Sequence, residues 1–297
     1  MNRLFKIGAM ALVTGGGLYV SRLKENRTVT ASEFNQAQEP KLSASLKLLS
    51  EGQLDAPLTL FRYTTCPFCG KVKAYLDYHN ISHTLVEVEP MFKSQLHDHG
   101  YSKIPQLRLG GAGAPILVDS DLIVDTLEKT LVKTTDWKSG AGEPDVELWR
   151  TWAREKLVRY IVINVNRSMS EAWQGYDYID AFDTIPAVNK LFLKVAGTPV
   201  MYMVSEFFTK PKLRTLGYEG GDARETIFKE VNEWCSKGIG QENNFHGGKQ
   251  PDLADLEAYG VLQSIRGHVI YQEMQDQNPE FKTWLDNMDN TIASKKI

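Results

Sequence analysis

Leu58-Thr59-Leu60-Phe61-Arg62-Tyr63-Thr64-Thr65-Cys66-Pro67-Phe68-Cys69-Gly70-Lys71-Val72-Lys73-Ala74-Tyr75-Leu76-Asp77-Tyr78 is the stretch on which the fold turns. Leu58 to Tyr63 is a compact β-prone run, and from Lys71 onward Val72, Tyr75, Leu76 and His79 share one helical face, so the stretch reads as strand, turn and helix. That places Cys66 at or just before the first helical turn, where unpaired N–H groups and the helix dipole favour a thiolate and mark this residue as a nucleophile. Cys69, about one turn further, faces back toward the first sulfur and suits either a resolving thiol or one that stays buried. Pro67 fits the first helical position because its missing N–H would have had no partner there. Lys71 and Lys73 are expected to add positive charge nearby.

Downstream, Thr84–Glu89 alternates as a second strand and Met91–His99 reads as a helix. Gln106–Leu109 and Pro115–Val118 read as short strands around the turn Gly110-Gly111-Ala112-Gly113, and Ser120–Leu131 as a helix, giving the order βαβαββα. Upstream, Thr28–Asp55 is polar and reads as a linker with one short helix in Leu42–Leu49. After the turn-rich stretch Thr134–Pro144 the texture changes to long helical periodicities. Trp149, Trp152, Ala153, Leu157, Tyr160 and Ile161 form one apolar stripe, and Ile227, Phe228, Val231, Trp234 and Cys235 another. The organisation expected is therefore an N-terminal segment over 1–54, an α/β domain over 55–135 and a helical domain over 136–297. Asp252 is a helix cap with Asp255 at the third helical position, and the uncharged run Ala258–Ile265 marks that helix as the buried centre of the helical domain.

The chain has 297 residues, long for one domain, with 42% hydrophobic and 24% charged residues, an ordinary globular composition. Its net charge of −3 argues against a nucleic-acid partner. The charge is uneven: Met1 to Thr30 holds five basic residues against Glu25 alone, a local +4. Within it Ile7–Ser21 is uncharged, which fits a marginal membrane anchor, a targeting peptide or an unstructured tail. Three cysteines are too few for a disulfide framework. Cys235, on a buried stripe, reads as an inert core thiol. A zinc site would need two more ligands at tight spacing, and isolated Cys235 and the surface pair His97 and His99 do not supply them, so no metal site is assigned.

The Cys-Pro-Phe-Cys turn after a strand, Ile104-Pro105 ahead of the next strand and Asp119-Ser120 at the next helix start together resemble a glutathione-binding thioredoxin-like domain. Thr64–Leu76 (TTCPFCGKVKAYL) is similar to a glutaredoxin, and the helical half, with Asp252-x-x-Asp255 opening a charge-poor helix, resembles the C-terminal domain of the glutathione transferase superfamily. Within that superfamily LFRYTTCPFCGKVKAYLDYH, KIPQL, LVDSDLIVDTL and FHGGKQPDLADLEAYGVL resemble the membrane-associated prostaglandin E synthase type 2 family, a likeness running from about Leu58 to the C-terminus.

The resemblance implies an α/β thioredoxin-like N-terminal domain followed by an all-α glutathione-transferase-like domain. It implies an isomerase in which Tyr63, Cys66 and Phe68 line a site for prostaglandin H2 or another small lipid peroxide. A cis Ile104-Pro105 and the pair Asp119 and Ser120 would hold glutathione, Ile104 through backbone groups left extended by the proline. Cys66 and Cys69 together also suit a glutaredoxin-like thiol-disulfide oxidoreductase. The resemblance further implies a homodimer at a Golgi or other endomembrane, its enzyme part facing the cytosol, or alternatively in mitochondria. Haem is associated with the family through basic residues of the helical domain, for which Phe207–Leu216 offers only Lys210, Lys212 and Arg214.

Overall fold

The computed structural model describes residues 29–90, 92–131, 137–181, 185–240 and 243–295, and Ile7–Ser21 lies outside them. Four strands, β1 (Leu58–Arg62), β2 (His83–Glu87), β3 (Gln106–Arg108) and β4 (Ile116–Val118), form one sheet in the order β2-β1-β3-β4. β1 runs parallel to β2 and antiparallel to β3, and β3 runs antiparallel to β4. Helices α1 (Ala31–Gln36) and α2 (Lys41–Ser50) precede the sheet, α3 (Pro67–Tyr78) follows β1, and α4 (Ser120–Leu131) follows β4. β1 is buried on both faces: Leu58 and Leu60 join Val72, Tyr75 and Leu76 of α3 in the main core, while Phe61 turns the other way onto Val88 and Leu96.

Two expectations change here. The short helix expected in Leu42–Leu49 is α2, but the stretch around it, expected as a linker, also carries α1 and pairs with the sheet. The Asn35 side chain donates to Val118 O and accepts from Val118 N–H, both at 3.0 Å, and Gln38 does the same at Ile116, at 2.7 and 2.8 Å. Two side-chain amides thus satisfy the free edge of β4 as a further strand would. The helix expected over Met91–His99 is reduced, among the described residues, to one 3₁₀ turn at Ser94–Leu96. Lys93 ahead of it takes a left-handed φ of 51°, and the Glu89 carboxylate accepts the Phe92 N–H.

The helical half comprises α5 (Pro144–Trp152), continued through a π turn at Ala153–Leu157 into α6 (Val158–Val165), then α7 (Met169–Gln174), a 3₁₀ turn at Asp177–Ala181 and α8 (Ala187–Val204). A π turn at Ser205–Thr209 leads to α9 (Lys210–Arg214), followed by α10 (Ala223–Glu233), α11 (Leu253–Gln263), α12 (Val269–Gln277) and α13 (Pro279–Lys295). Its stripes meet in an indole cluster, with Trp149, Trp152 and Trp284 each packed on Trp234 at centroid distances of 5.2, 5.6 and 5.4 Å. Cys235 is buried, and that burial pushes its thiol up to about 12, so it is inert at neutral pH as expected. α11 is buried from Leu253 to Leu262, and Asp252 and Asp255 exchange side-chain-to-backbone hydrogen bonds at its start. The chain thus has the fold class read from the sequence, a thioredoxin-like sheet unit followed by an all-helical half.

What positions α3 is its crossing with α11. Gly70 and Gly260 face each other so closely that a Cβ on Gly70 would lie 1.9 Å from Gly260 O. Beside this contact Lys71, 1% exposed, ion-pairs with Glu257 at 2.7 Å and with Asp121, and Arg150 reaches Glu257 and Asp125, each at 2.7 Å. Burial alone would raise the Asp121 carboxyl, but Lys71 and Arg154 outweigh it and hold it below its ordinary value.

Candidate active site

Cys66 is the residue at the N-terminal boundary of α3: its own N–H donates to Tyr63 O at 3.1 Å, its carbonyl accepts from Gly70 N–H at 3.0 Å, and its φ and ψ of −90° and 115° are extended. The Cys69 thiol donates to the Cys66 sulfur, and the N–H groups of Cys69 and Phe68 point at it as well. Together these outweigh burial and hold the Cys66 thiol below its ordinary value. The Cys69 thiol moves the opposite way, pushed up first by burial and then by its hydrogen bond to Cys66. Cys66 is half-buried and Cys69 fully buried, and all three cysteines are free thiols.

The expected help from lysines is corrected. Lys71 is neutralised by Glu257 and Asp121, and Lys73 by Asp77, so hydrogen bonds at the helix start, not lysine charge, lower the Cys66 thiol.

Strand register brings the other sequence-derived residues to the same end of the sheet. β1 pairs with β3 up to Phe61–Gln106, and β3 with β4 up to Gln106–Val118, so the exit of β1, the approach to β3 and the exit of β4 lie side by side. Tyr63, Ile104-Pro105 and Asp119-Ser120 are the next residues along that line. Tyr63 and Ile104 pack on the same cluster of Phe61, Val88 and Leu96, and the Ile104-Pro105 bond is cis. Ile104 lies two residues outside the ladder, its backbone beyond the strand pairing. Asp119 takes a φ of 77°, and its carboxylate caps α4 by accepting from Asp121 and Leu122 N–H at 3.0 and 3.3 Å; Ser120 beside it is buried. Phe68 packs at the edge of the main core, apart from the Tyr63 cluster.

The tyrosine absent from the sequence reading is Tyr178, on the 3₁₀ turn of the helical half. It is hydrogen-bonded with Thr65 and lies near Cys66, Glu87 and Glu89; burial is the main cause that pushes its hydroxyl up to about 12. Tyr63 is raised too, first by burial and then by Tyr178, Glu89 and the two cysteines, so both phenols stay protonated at neutral pH. The turn is fastened from behind: Lys194 of α8 ion-pairs with Asp177 at 2.9 Å and Asp180 at 2.7 Å, and Tyr176 packs on Gly197. Gly175-Tyr176-Asp177-Tyr178-Ile179-Asp180 has no periodicity to say which ring turns toward the cysteines.

The basic residues considered for haem lie elsewhere, on the surface helix α9. Lys212 and Arg214 are exposed and Lys210 pairs with Glu206, an arrangement that does not fit a buried haem site.

Residues 60–133 match the family model described as glutathione S-transferase, N-terminal domain. Prostaglandin E synthase 2 of Danio rerio is 30% identical in an alignment covering 95% of this chain and 80% of that protein, and its namesake of Mus musculus is 29% identical, covering 96% and 81%. A beta-etherase from Sphingobium sp. strain SYK-6 shares the fold with a TM-score of 0.50 at 14% identity, over 80% of this chain and 98% of its own. A glutathione transferase from Phanerochaete chrysosporium does so with a TM-score of 0.50 at 12% identity, over 79% and 97%. Relatives at about 30% identity aligned over nearly the whole length, together with a cysteine at the start of α3 and a cis Ile104-Pro105 bond, place the chain in the prostaglandin E synthase 2 family.

Proposed function

We propose that this protein is a glutathione-dependent isomerase that converts prostaglandin H2 to prostaglandin E2 through the Cys66 thiolate. The observation that carries the reading is the Cys66 sulfur itself, half-buried at the end of the sheet, with two backbone N–H groups and the Cys69 thiol directed at it. The names of the relatives supply the substrate class.

Attack by Cys66 Sγ on the endoperoxide oxygen borne by C9 breaks the O–O bond and forms an S–O bond. The oxygen on C11 leaves as an alkoxide and takes a proton. Loss of the C9 proton then forms the ketone as the S–O bond breaks and the thiolate returns. One proton is gained and one lost, and no external oxidant or reductant is consumed. Tyr63 and Tyr178, held protonated near the two cysteines, would donate to the developing alkoxide.

The residues at the sheet end fit glutathione. Ile104, outside the ladder, leaves an extended backbone for a peptide to pair with, and Ser120 at the start of α4 would offer its hydroxyl to a carboxylate, the next two N–H groups being taken by Asp119. Bound there, glutathione supplies a second thiol beside Cys66. The reading includes association with an endomembrane or mitochondrial membrane through Ile7–Ser21, and a homodimer.

Prostaglandin H2 given to the purified protein with and without glutathione, alongside Cys66→Ser, tests the reading: E2 formation above the spontaneous rate should require Cys66. Full turnover by Cys66→Ser rules the mechanism out. A second reading, a dithiol oxidoreductase, is favoured by the hydrogen bond from the Cys69 thiol to Cys66, since isomerisation needs one thiol only. Cys69→Ser separates the two, because disulfide exchange by a dithiol route is lost while isomerisation persists.

A further inference from the structure

Helix α8 and the turns that follow it are built inside out. Its residues facing the protein are polar: Lys194, Thr198 and Ser205 are 8%, 2% and 0% exposed. Its outward residues are apolar: Val188 is 77% exposed, Val195 57% and Phe207 69%, with Leu191, Phe192 and Met203 also exposed. They form two groups at helical spacing, Val188, Leu191, Phe192 and Val195 and then Met203, Phe207 and Phe208, within Ala187–Arg214, a run of 28 residues whose most apolar window is only 17% buried. A helix on a water-facing surface has the opposite arrangement, and an apolar face of this extent marks a contact with something apolar.

The run does not cross a bilayer, because Lys194 is tied to Asp177 and Asp180 and Gly197 is covered by Tyr176, which hold its polar side flat against the domain. Its charge identifies the partner. Of its cations Lys194 is spent on Asp177 and Asp180 and Lys210 on Glu206, which leaves Lys190, Lys212 and Arg214 with no carboxylate bound to them among the described residues, positive charge on a chain whose total is −3. Apolar side chains outward with basic residues concentrated just past their end match an interfacial helix on anionic lipid.

We infer that the outer face of Ala187–Arg214 docks on an anionic phospholipid surface, laying the helical half on the membrane independently of the N-terminal segment. The turn bearing Tyr178 is fastened to the inner side of this same helix through Lys194, so the docked helix carries on its other side the turn that reaches Cys66. The inference needs neither prostaglandin chemistry nor glutathione, and its test uses neither.

Full-length protein is footprinted with hydroxyl radicals in buffer, on phosphatidylcholine vesicles and on phosphatidylcholine–phosphatidylserine vesicles, with oxidation of Met203 and Phe207 read by mass spectrometry. Both side chains should react freely in buffer at every protein concentration and become protected on the mixed vesicles. Lys212→Gln and Arg214→Gln should each weaken that protection, measured as a partition coefficient, by roughly fivefold. Protection in buffer that grows with protein concentration would mean that a second copy covers the face, and overturns the inference. Undiminished oxidation of Met203 and Phe207 in protein that floats with the vesicles also overturns it, leaving the N-terminal segment as the sole attachment.

Discussion

Replacing Gly70 by alanine tests the crossing that sets α3, and with it Cys66, against the helical half. The added Cβ would lie 1.9 Å from Gly260 O and 2.8 Å from Gly260 C, both backbone atoms of a buried helix that no rotamer change can move. Ordinary contact begins near 3.4 Å, so the helices must separate by about 1.5 Å. Overpacking of this kind costs about 1–3 kcal/mol. The Lys71–Glu257 pair, 2.7 Å long and next to the crossing, stretches with the separation and adds to the cost. A loss of roughly 3 kcal/mol or more is expected in urea unfolding followed by circular dichroism. Gly260→Ala, whose Cβ comes no closer than 2.6 Å to Gly70 O, should lose less. Gly267→Ala, with nothing within 4 Å, is the control and should stay within about 0.5 kcal/mol of the parent. A Gly70→Ala protein as stable as that control would refute the close crossing.

Other consequences follow from the same contacts. Asn35→Ala strips the Val118 N–H and C=O of their buried partners and should cost about 1–3 kcal/mol by the same unfolding measurement, whereas a true linker would show no change. Glu257→Gln leaves the buried Lys71 and Arg150 short of an anion and should cost about 3–5 kcal/mol, while Asp125→Asn, on the half-exposed side of Arg150, should cost less than about 1 kcal/mol. Tyr178→Phe should leave the unfolding midpoint nearly unchanged and lower prostaglandin H2 isomerisation roughly a hundredfold, the scale of one lost donor to a developing oxyanion; unaltered turnover would remove Tyr178 from the site.

The parts of this molecule legible in the sequence are those whose cause is local. β1, the Cys66 turn and α3 are written in adjacent residues through a β-prone run, a proline at the first helical position and an apolar period. Asp252-x-x-Asp255 announces its helix start in the same way. Asn35 and Gln38 were not legible because their amides imitate a strand edge, and no period of two marks a side chain that pairs with backbone. Lys71 looked like a free charge beside Cys66 because its partner Glu257 belongs to the far half of the chain, and Tyr178 reaches the cysteines for the same reason. In the stretch expected to be helical, Lys93 goes left-handed while the Glu89 carboxylate takes the Phe92 N–H, a side-chain hydrogen bond that competes with helix formation.

The most direct measurement of the claim that the Cys66 thiol is held below its ordinary value is the rate of iodoacetamide alkylation at Cys66 as a function of pH, the adduct located by mass spectrometry. Hydrogen bonds from Cys69 and Phe68 favour the deprotonated sulfur, so reactivity should persist as the pH falls, with its midpoint below the roughly 8.5 of a free cysteine, and should return to that value in urea. A midpoint in the native protein at or above that of free cysteine would contradict it.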